Sequence, residues 1–148
     1  MWKSILTTTI IAGCLDITAA CMNAYLSSGV TPDRLLKYIA SGLYGKSAST
    51  GGFDMMLLGL LVHFIIAFSC TACYFWAYPK LSFLKQNVWL NSALIAIAAW
   101  VVTTRVIVPM SQIQQPPFNL IQALKAVTIL YFCIGLPISF AAKKALKG

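Results

Sequence analysis

Residues 5–26, ILTTTIIAGCLDITAACMNAYL, form an apolar run with one carboxylate, Asp16, near its middle. A run of about 20 apolar residues is long enough to cross a lipid bilayer as a helix. A charged side chain at that depth costs roughly 2.5 kcal/mol or more, so such groups usually face other helices or a cavity. This stretch therefore predicts a membrane helix whose Asp16 side is covered by the rest of the chain.

Small and polar side chains share one face of this predicted helix. Their spacing of three and four residues places them on a single stripe. The stripe consists of Thr9, Gly13, Asp16, Ala20, Asn23 and Ser27. Stripes of small residues let membrane helices approach closely, and the bulkier Ile10, Ile11, Leu15 and Ile17, which mostly lie off the stripe, are expected to face lipid.

The composition of the whole chain is typical of a membrane protein. Of its 148 residues, 59% are hydrophobic and 9% are charged, which is outside the usual range of soluble domains. The net charge of +8 comes from 11 Lys and Arg residues against three acidic residues. Because these cations flank apolar runs instead of forming one basic face, they argue against nucleic-acid binding and resemble topology signals.

Four apolar runs predict four membrane spans within a single domain, residues 1–148. The spans are expected at residues 5–26, 55–78, 88–108 and 121–142. An even number of spans puts both termini on one side, where six lysines face no acidic residue: Lys3, Lys80, Lys85, Lys143, Lys144 and Lys147. The positive-inside rule then predicts cytoplasmic termini in a multi-pass bacterial inner-membrane protein, although Arg105 and Lys125 reduce the asymmetry.

The connection between the first two spans contains a further predicted helix, at residues 32–43. Thr31, Pro32 and Asp33 form a helix-start signature of a capping residue, a first-turn proline and a first-turn acid. Apolar residues then gather on one face and charged residues on the other, which is typical of a helix lying in the membrane interface. We interpret the segment as a connection between spans; the alternative is a lid over the outer mouth of the bundle.

A lipoprotein signal is a competing interpretation of the N-terminus. Residues 11–14, IAGC, match the pattern that precedes and includes an acylated cysteine. The preceding apolar segment is short, however, and the apolar run continues past Cys14. Both features favour a membrane span over a cleaved signal.

The later spans contain three further polar candidates, namely His63 in the second span and Asn91 and Arg105 in the third. Buried ionisable groups in membranes are candidates for function, although a lone histidine can also be a packed neutral residue. Asn91 and Arg105 recur at heptad spacing and are expected on one face. Arg105 either extends outward to the membrane surface or turns inward to balance Asp16.

The pair Cys70-x-x-Cys73 does not predict redox chemistry in this context. It lies inside an apolar helix, where a thiolate is disfavoured, and the other three cysteines are also inside predicted spans. A metal site would need further ligands, and neither a second histidine nor a nearby carboxylate completes a known spacing. We expect free thiols, no metal and no cofactor.

Several motifs along the chain can be compared with known families. They are Gly13-x-x-Asp16, Pro32, Ile39-Ala40-Ser41-Gly42-Leu43 with Gly45, Gly51-Gly52, and Gly59 followed by His63-Phe64-x-Ile66-Ala67. Together they resemble an uncharacterised family of small four-span bacterial inner-membrane proteins, over most of the chain up to the prolines after the third span. The resemblance implies bacterial origin and four spans, and it implies no activity, substrate or catalytic residue.

The predicted fold is all-α: an integral-membrane four-helix bundle with a short interfacial helix between spans one and two. Asp16, His63, Arg105, Asn23 and Asn91 are the candidate residues of a binding site or transport path, because polar groups within membranes often mark such paths. This favours a small transporter- or channel-like bundle over an enzyme. The alternative is an accessory or structural subunit without transport or catalysis. Expected partners are the lipid bilayer and either a second copy of the chain or another membrane protein.

Overall fold

The computed structural model describes residues 1–112 and 117–146, and every regular element within them is helical. The main helices are α1 (Trp2–Ser28), α2 (Pro32–Tyr44), α3 (Phe53–Ala77), α4 (Val88–Met110) and α5 (Leu120–Leu146). All except α2 are long and apolar enough to cross a membrane. The predicted all-α class is therefore confirmed. Lys147, which contributes to the predicted charge asymmetry, lies outside the described residues.

The long helices alternate in direction, so the molecule has two distinct ends. The terminal end holds the start of α1 and the end of α5, and the α2 end holds the connection from α1 through α2 to α3. α1 packs against both α3 and α5, and α4 packs along α5. The short helix α2 packs mainly against α3. The α2 end is thus covered by an additional element.

Polar residues before the apolar runs mark where three of the helices begin. The side chains of Asn87 and Asn119 accept hydrogen bonds from backbone N–H groups in the first turns of α4 and α5, respectively. At the start of α2, Thr31 is the N-cap residue. Its hydroxyl group and the backbone N–H groups of the turn favour the ionised form of Asp33 and hold the pKa of that carboxyl group below its ordinary value.

Two helices contain a widened turn one turn before a proline. The widened turns are Thr103–Ile107 in α4 and Tyr131–Gly135 in α5. Proline has no N–H group to donate four residues back, so Pro109 and Pro137 leave carbonyl groups inside these segments without their usual helical partners. A local change to wider hydrogen-bonded turns is a common response to such an interruption.

Most of the buried core lies at the terminal end. Phe75 and Ile138 are the largest fully buried apolar side chains there, at 1% and 0% exposure. Ser92 of α4 and Ser139 of α5 are equally buried, and both hydroxyl groups donate to the Val88 carbonyl oxygen, at 2.8 and 3.2 Å. The terminal half is therefore filled by interlocking apolar and hydrogen-bonded side chains.

Candidate functional site

His63 contacts α1 at Gly13 and Asp16, close to the middle of both helices. Its Nε2 atom lies 3.0 Å from the Gly13 carbonyl oxygen and 3.9 Å from Oδ2 of Asp16. The two side chains are only 12% and 17% exposed, respectively. Among residues 1–112 and 117–146, this is the one pairing of an acidic and a basic side chain within 4.0 Å.

Gly13 allows α1 and α3 to come close enough for this contact. A Cβ atom at position 13 would lie 2.6 Å from Cε1 of Phe64, well inside normal contact distance. The absent side chain makes room for the Phe64 ring, while the carbonyl group of the same glycine binds the neighbouring imidazole. The sequence motifs around Gly13 and His63 thus form one contact in three dimensions.

The hydrogen bond to Gly13 determines which imidazole nitrogen carries a proton. A carbonyl oxygen only accepts hydrogen bonds, so Nε2 carries the hydrogen and donates it to Gly13. The Asp16 oxygen, at 3.9 Å, is beyond hydrogen-bond distance from that nitrogen. Within the part of the chain that the structure describes, no donor completes a hydrogen bond to the Asp16 carboxylate.

A cavity of about 510 Å³ lies at the α2 end and extends to this pair. Asp16, His63 and Asn23 form part of its lining, and much of the remaining wall is apolar. All five helices contribute residues to it. Small-molecule sites typically have volumes of roughly 300–1,000 Å³ and combine apolar walls with a few polar groups. The arrangement therefore has the size and the lining of a ligand-binding site.

The wall that α4 contributes includes its widened turn. Trp100, Thr103, Thr104 and Ile107 all line the cavity. Their spacing places them on one face of the helix. Sequence reasoning did not identify these residues as site residues, and the one available signal was Pro109, which makes an irregular turn before it more probable than in an uninterrupted helix.

The short helix α2 lines the cavity as well as connecting two spans. Leu35, Tyr38 and Ile39 are among its lining residues. Partial burial of Tyr38 raises the pKa of its phenol above the ordinary value. The sequence interpretation favoured a simple connection over a lid. The helix does connect α1 to α3, and it also contributes apolar side chains to the cavity lining. The amphipathic pattern was the available signal, but it did not distinguish a lipid-facing surface from a cavity-facing one.

The other two candidate residues lie elsewhere. Arg105 has an exposed side chain and does not line the cavity. Asn91 is 1% exposed, lies towards the terminal end and donates a hydrogen bond to the Leu84 carbonyl group. Ala98, which lies between Asn91 and Arg105 in the heptad series, is already exposed. Of the five residues proposed from sequence, Asp16, His63 and Asn23 are together at the cavity.

The five cysteines are free thiols. Cys70 lines the cavity, whereas Cys73, three residues further along α3, has an exposed side chain. Within the described ranges no three His, Cys, Asp or Glu side chains are grouped closely enough to hold a metal ion. Cys70 and Cys73 therefore offer two native thiols in one helix with different surroundings.

Comparison of the chain with protein-family models, curated proteins and solved structures gives no match. The resemblance to small four-span bacterial inner-membrane proteins stays a prediction. Function has to be inferred from the His63–Asp16 contact and the cavity beside it.

Proposed function

We propose that this chain is a four-helix membrane bundle that binds a small solute in the cavity between its helices, as a transporter-like protein of the bacterial inner membrane. Its four long helices meet the length and hydropathy requirements for membrane spans. Their exposed faces carry large apolar side chains such as Ile10, Leu61, Leu90 and Phe132. Such surfaces suit contact with lipid and are unfavourable in water.

The observation that carries this proposal is the extension of the cavity to Asp16 and His63. Ionisable side chains in the middle of membrane helices are costly and commonly belong to binding sites or ion paths. A structural role would need only a closed contact between α1 and α3. Here the contact borders a space of about 510 Å³, so the polar groups are available to a ligand.

The packed terminal half limits the proposal to binding from one side. Ser92, Ser139 and Ile138 are fully buried there, so the described residues do not form an open pore through that half. Transport would require this end to open after solute has bound at the α2 end.

The same closed half supports a second candidate function, an accessory membrane subunit that holds a ligand or partner without transporting it. A second copy of the chain is the partner that we propose for a transporter of only four spans.

The charge distribution predicts the orientation of the bundle. A reporter fused after Gly148 should be cytoplasmic, and a reporter inserted within residues 47–51 should be external, because the lysines without acidic neighbours flank the terminal end. Near that end, Lys80 Nζ lies 3.3 Å from the centre of the Trp76 ring, and both residue types favour the membrane–water interface. Paired phosphatase and fluorescent-protein fusions measure this, and an external C-terminal reporter would contradict the orientation.

Thiol labelling tests whether the cavity is open and hydrated. Two variants each retain one native cysteine, either Cys70 or Cys73, with the other four cysteines replaced by alanine. The impermeant reagent MTSET, added from the external side of intact cells, should modify Cys70 at least about tenfold faster than Cys73. A charged reagent can reach a thiol that lines a water-filled cavity, whereas lipid excludes it from the outer surface of a membrane helix. Mass spectrometry of the purified protein measures the modified fraction over time.

Cys73 is the matched control because it lies on the same helix, one turn further from the α2 end. Ala20 also lines the cavity, so Ala20→Phe should slow the labelling of Cys70 by filling the space. Equal slow labelling at both positions, or labelling of Cys70 only from the cytoplasmic side, would remove the support for an outward-facing binding cavity.

A further inference from the structure

We propose that the solute bound in this cavity is an organic cation with an apolar body, and that its positive charge lies beside the Asp16 carboxylate. This inference rests on the proposed function, namely that the cavity binds a solute, and adds the chemical class of that solute. It is carried by the charge, the aromatic groups and the apolar surface of the cavity lining.

The cavity has one acidic group and an incomplete set of partners for it. Among the described residues, Asp16 is the only acidic residue in the lining, and no lysine or arginine contributes to it. In the described ranges no hydrogen bond is donated to the Asp16 carboxylate. A carboxylate at this depth needs a proton or a nearby cation to offset the loss of hydration. A cationic ligand would supply that charge.

His63 is oriented towards a different acceptor. Its Nε2–H group is donated to the Gly13 carbonyl oxygen at 3.0 Å, while the Asp16 oxygen lies at 3.9 Å. The imidazole therefore helps to hold α1 against α3 without forming a hydrogen bond to the carboxylate from this nitrogen. That leaves Asp16 available on the cavity side, where it contributes to the lining.

Aromatic side chains in the same lining favour a cation over an anion. Trp100 of α4 and Tyr38 of α2 both line the cavity. The faces of such rings carry partial negative charge and attract cations, most strongly where water is excluded. An anionic ligand would instead meet a carboxylate and two aromatic rings, in a lining to which no described lysine or arginine contributes.

The apolar lining favours an organic cation over a metal ion. Calcium takes about six to eight oxygen ligands, and magnesium needs near-octahedral oxygen coordination. Within the described residues no group of three potential acidic, cysteine or histidine ligands is present. Leu35, Ile39 and Ile66 are among the apolar lining residues, and these are suited to contact hydrocarbon or aromatic substituents around a single positive charge.

Two ions of closely similar shape and opposite charge provide the test: tetraphenylphosphonium and tetraphenylborate. Each is added to the protein that retains only Cys70, purified in a neutral detergent, and the rate of Cys70 labelling is measured relative to the ligand-free rate. We expect saturating tetraphenylphosphonium to slow labelling about tenfold, and tetraphenylborate to leave the rate unchanged. Asp16→Asn should raise about tenfold the concentration of tetraphenylphosphonium that gives half of the full protection of Cys70. Asp16→Glu should leave that concentration close to its original value.

Arg105→Gln is the control variant, because Arg105 is exposed and outside the cavity lining, and it should leave protection unchanged. Equal protection by both ions, protection by tetraphenylborate alone, or protection that Asp16→Asn does not alter would each overturn the cation assignment. If Cys70 reacts but neither ion protects it, the open cavity stands and the cation assignment fails. Loss of Cys70 reactivity in the ligand-free protein would contradict the proposed function itself. Should Asp16→Asn not fold, the comparison of the two ions in the protein with native Asp16 still decides the result.

Discussion

Gly59→Leu is expected to displace α2 from α3 and to lower the free energy of unfolding by roughly 3 kcal/mol. A Cβ atom at position 59 would collide with the Leu36 carbonyl oxygen and lie 2.8 Å from its carbonyl carbon. These atoms belong to the α2 backbone, so no side-chain rotation relieves the contact. The two helices would have to separate, and apolar contacts along their whole interface would weaken.

Thermal unfolding in detergent, followed by circular dichroism, measures this loss. Ser69→Leu is the matched control: Ser69 is an exposed residue of α3 whose hydroxyl group donates only to the carbonyl oxygen of Ile65 on the same helix. It adds the same side chain without a collision. Displacement of α2 should also speed the labelling of Cys70, because α2 forms part of the wall of the same cavity. A Gly59→Leu protein as stable as the control would show that α2 is not held against α3 as described.

Gly135→Leu is expected to separate α4 from α5, again with a loss of roughly 3 kcal/mol in the free energy of unfolding. A Cβ atom at position 135 would collide with the Ser92 carbonyl oxygen and lie 3.0 Å from its carbonyl carbon. Gly135 is the last residue of the widened turn in α5. Moving the helices apart would also stretch the hydrogen bond from Ser139 to the Val88 carbonyl oxygen, which joins α5 to α4.

The comparison for this helix is Thr128→Leu. Thr128 is exposed on α5, and its hydroxyl group donates to the Leu124 carbonyl oxygen within the same helix. We expect the unfolding temperature of Thr128→Leu to stay close to that of the original protein and that of Gly135→Leu to fall well below it. Because Gly135 lies beside the packed terminal half, its substitution should also admit labelling reagents from that end. Unchanged stability and unchanged accessibility would argue that the α4–α5 contact is looser than the structure indicates.

The helical class of this protein could be predicted from local sequence. The length and composition of an apolar run are properties of consecutive residues, and they are sufficient to indicate a helix long enough for a membrane. The start of α2 is likewise written in three adjacent residues, Thr31, Pro32 and Asp33. Asp16 stands out for the same reason, since a single carboxylate in an apolar run is visible without any tertiary information.

The membership of the candidate site depended on tertiary structure. Periodicity shows which residues share a face of one helix, but it does not show which face meets which neighbour. That choice depends on where small residues let backbones approach, as Gly59 and Gly135 do here, and on where a glycine makes room for a neighbouring ring, as Gly13 does for Phe64. The structure accordingly brings His63 to Asp16 and leaves Arg105 exposed.

Asn91 and Arg105 illustrate the physical limit of sequence periodicity. An ideal helix drifts by about 20° per heptad, so residues at this spacing gradually leave a common face. A crossing helix also covers only part of that face, which is why Asn91 is buried and Ala98 is already exposed. The sequence alone determined a helical chain with membrane-length apolar runs and a carboxylate in the first of them. Only the tertiary structure decided that Trp100, Tyr38 and His63 surround a cavity beside that carboxylate, because helix rotation and crossing depend on contacts between residues far apart in the chain.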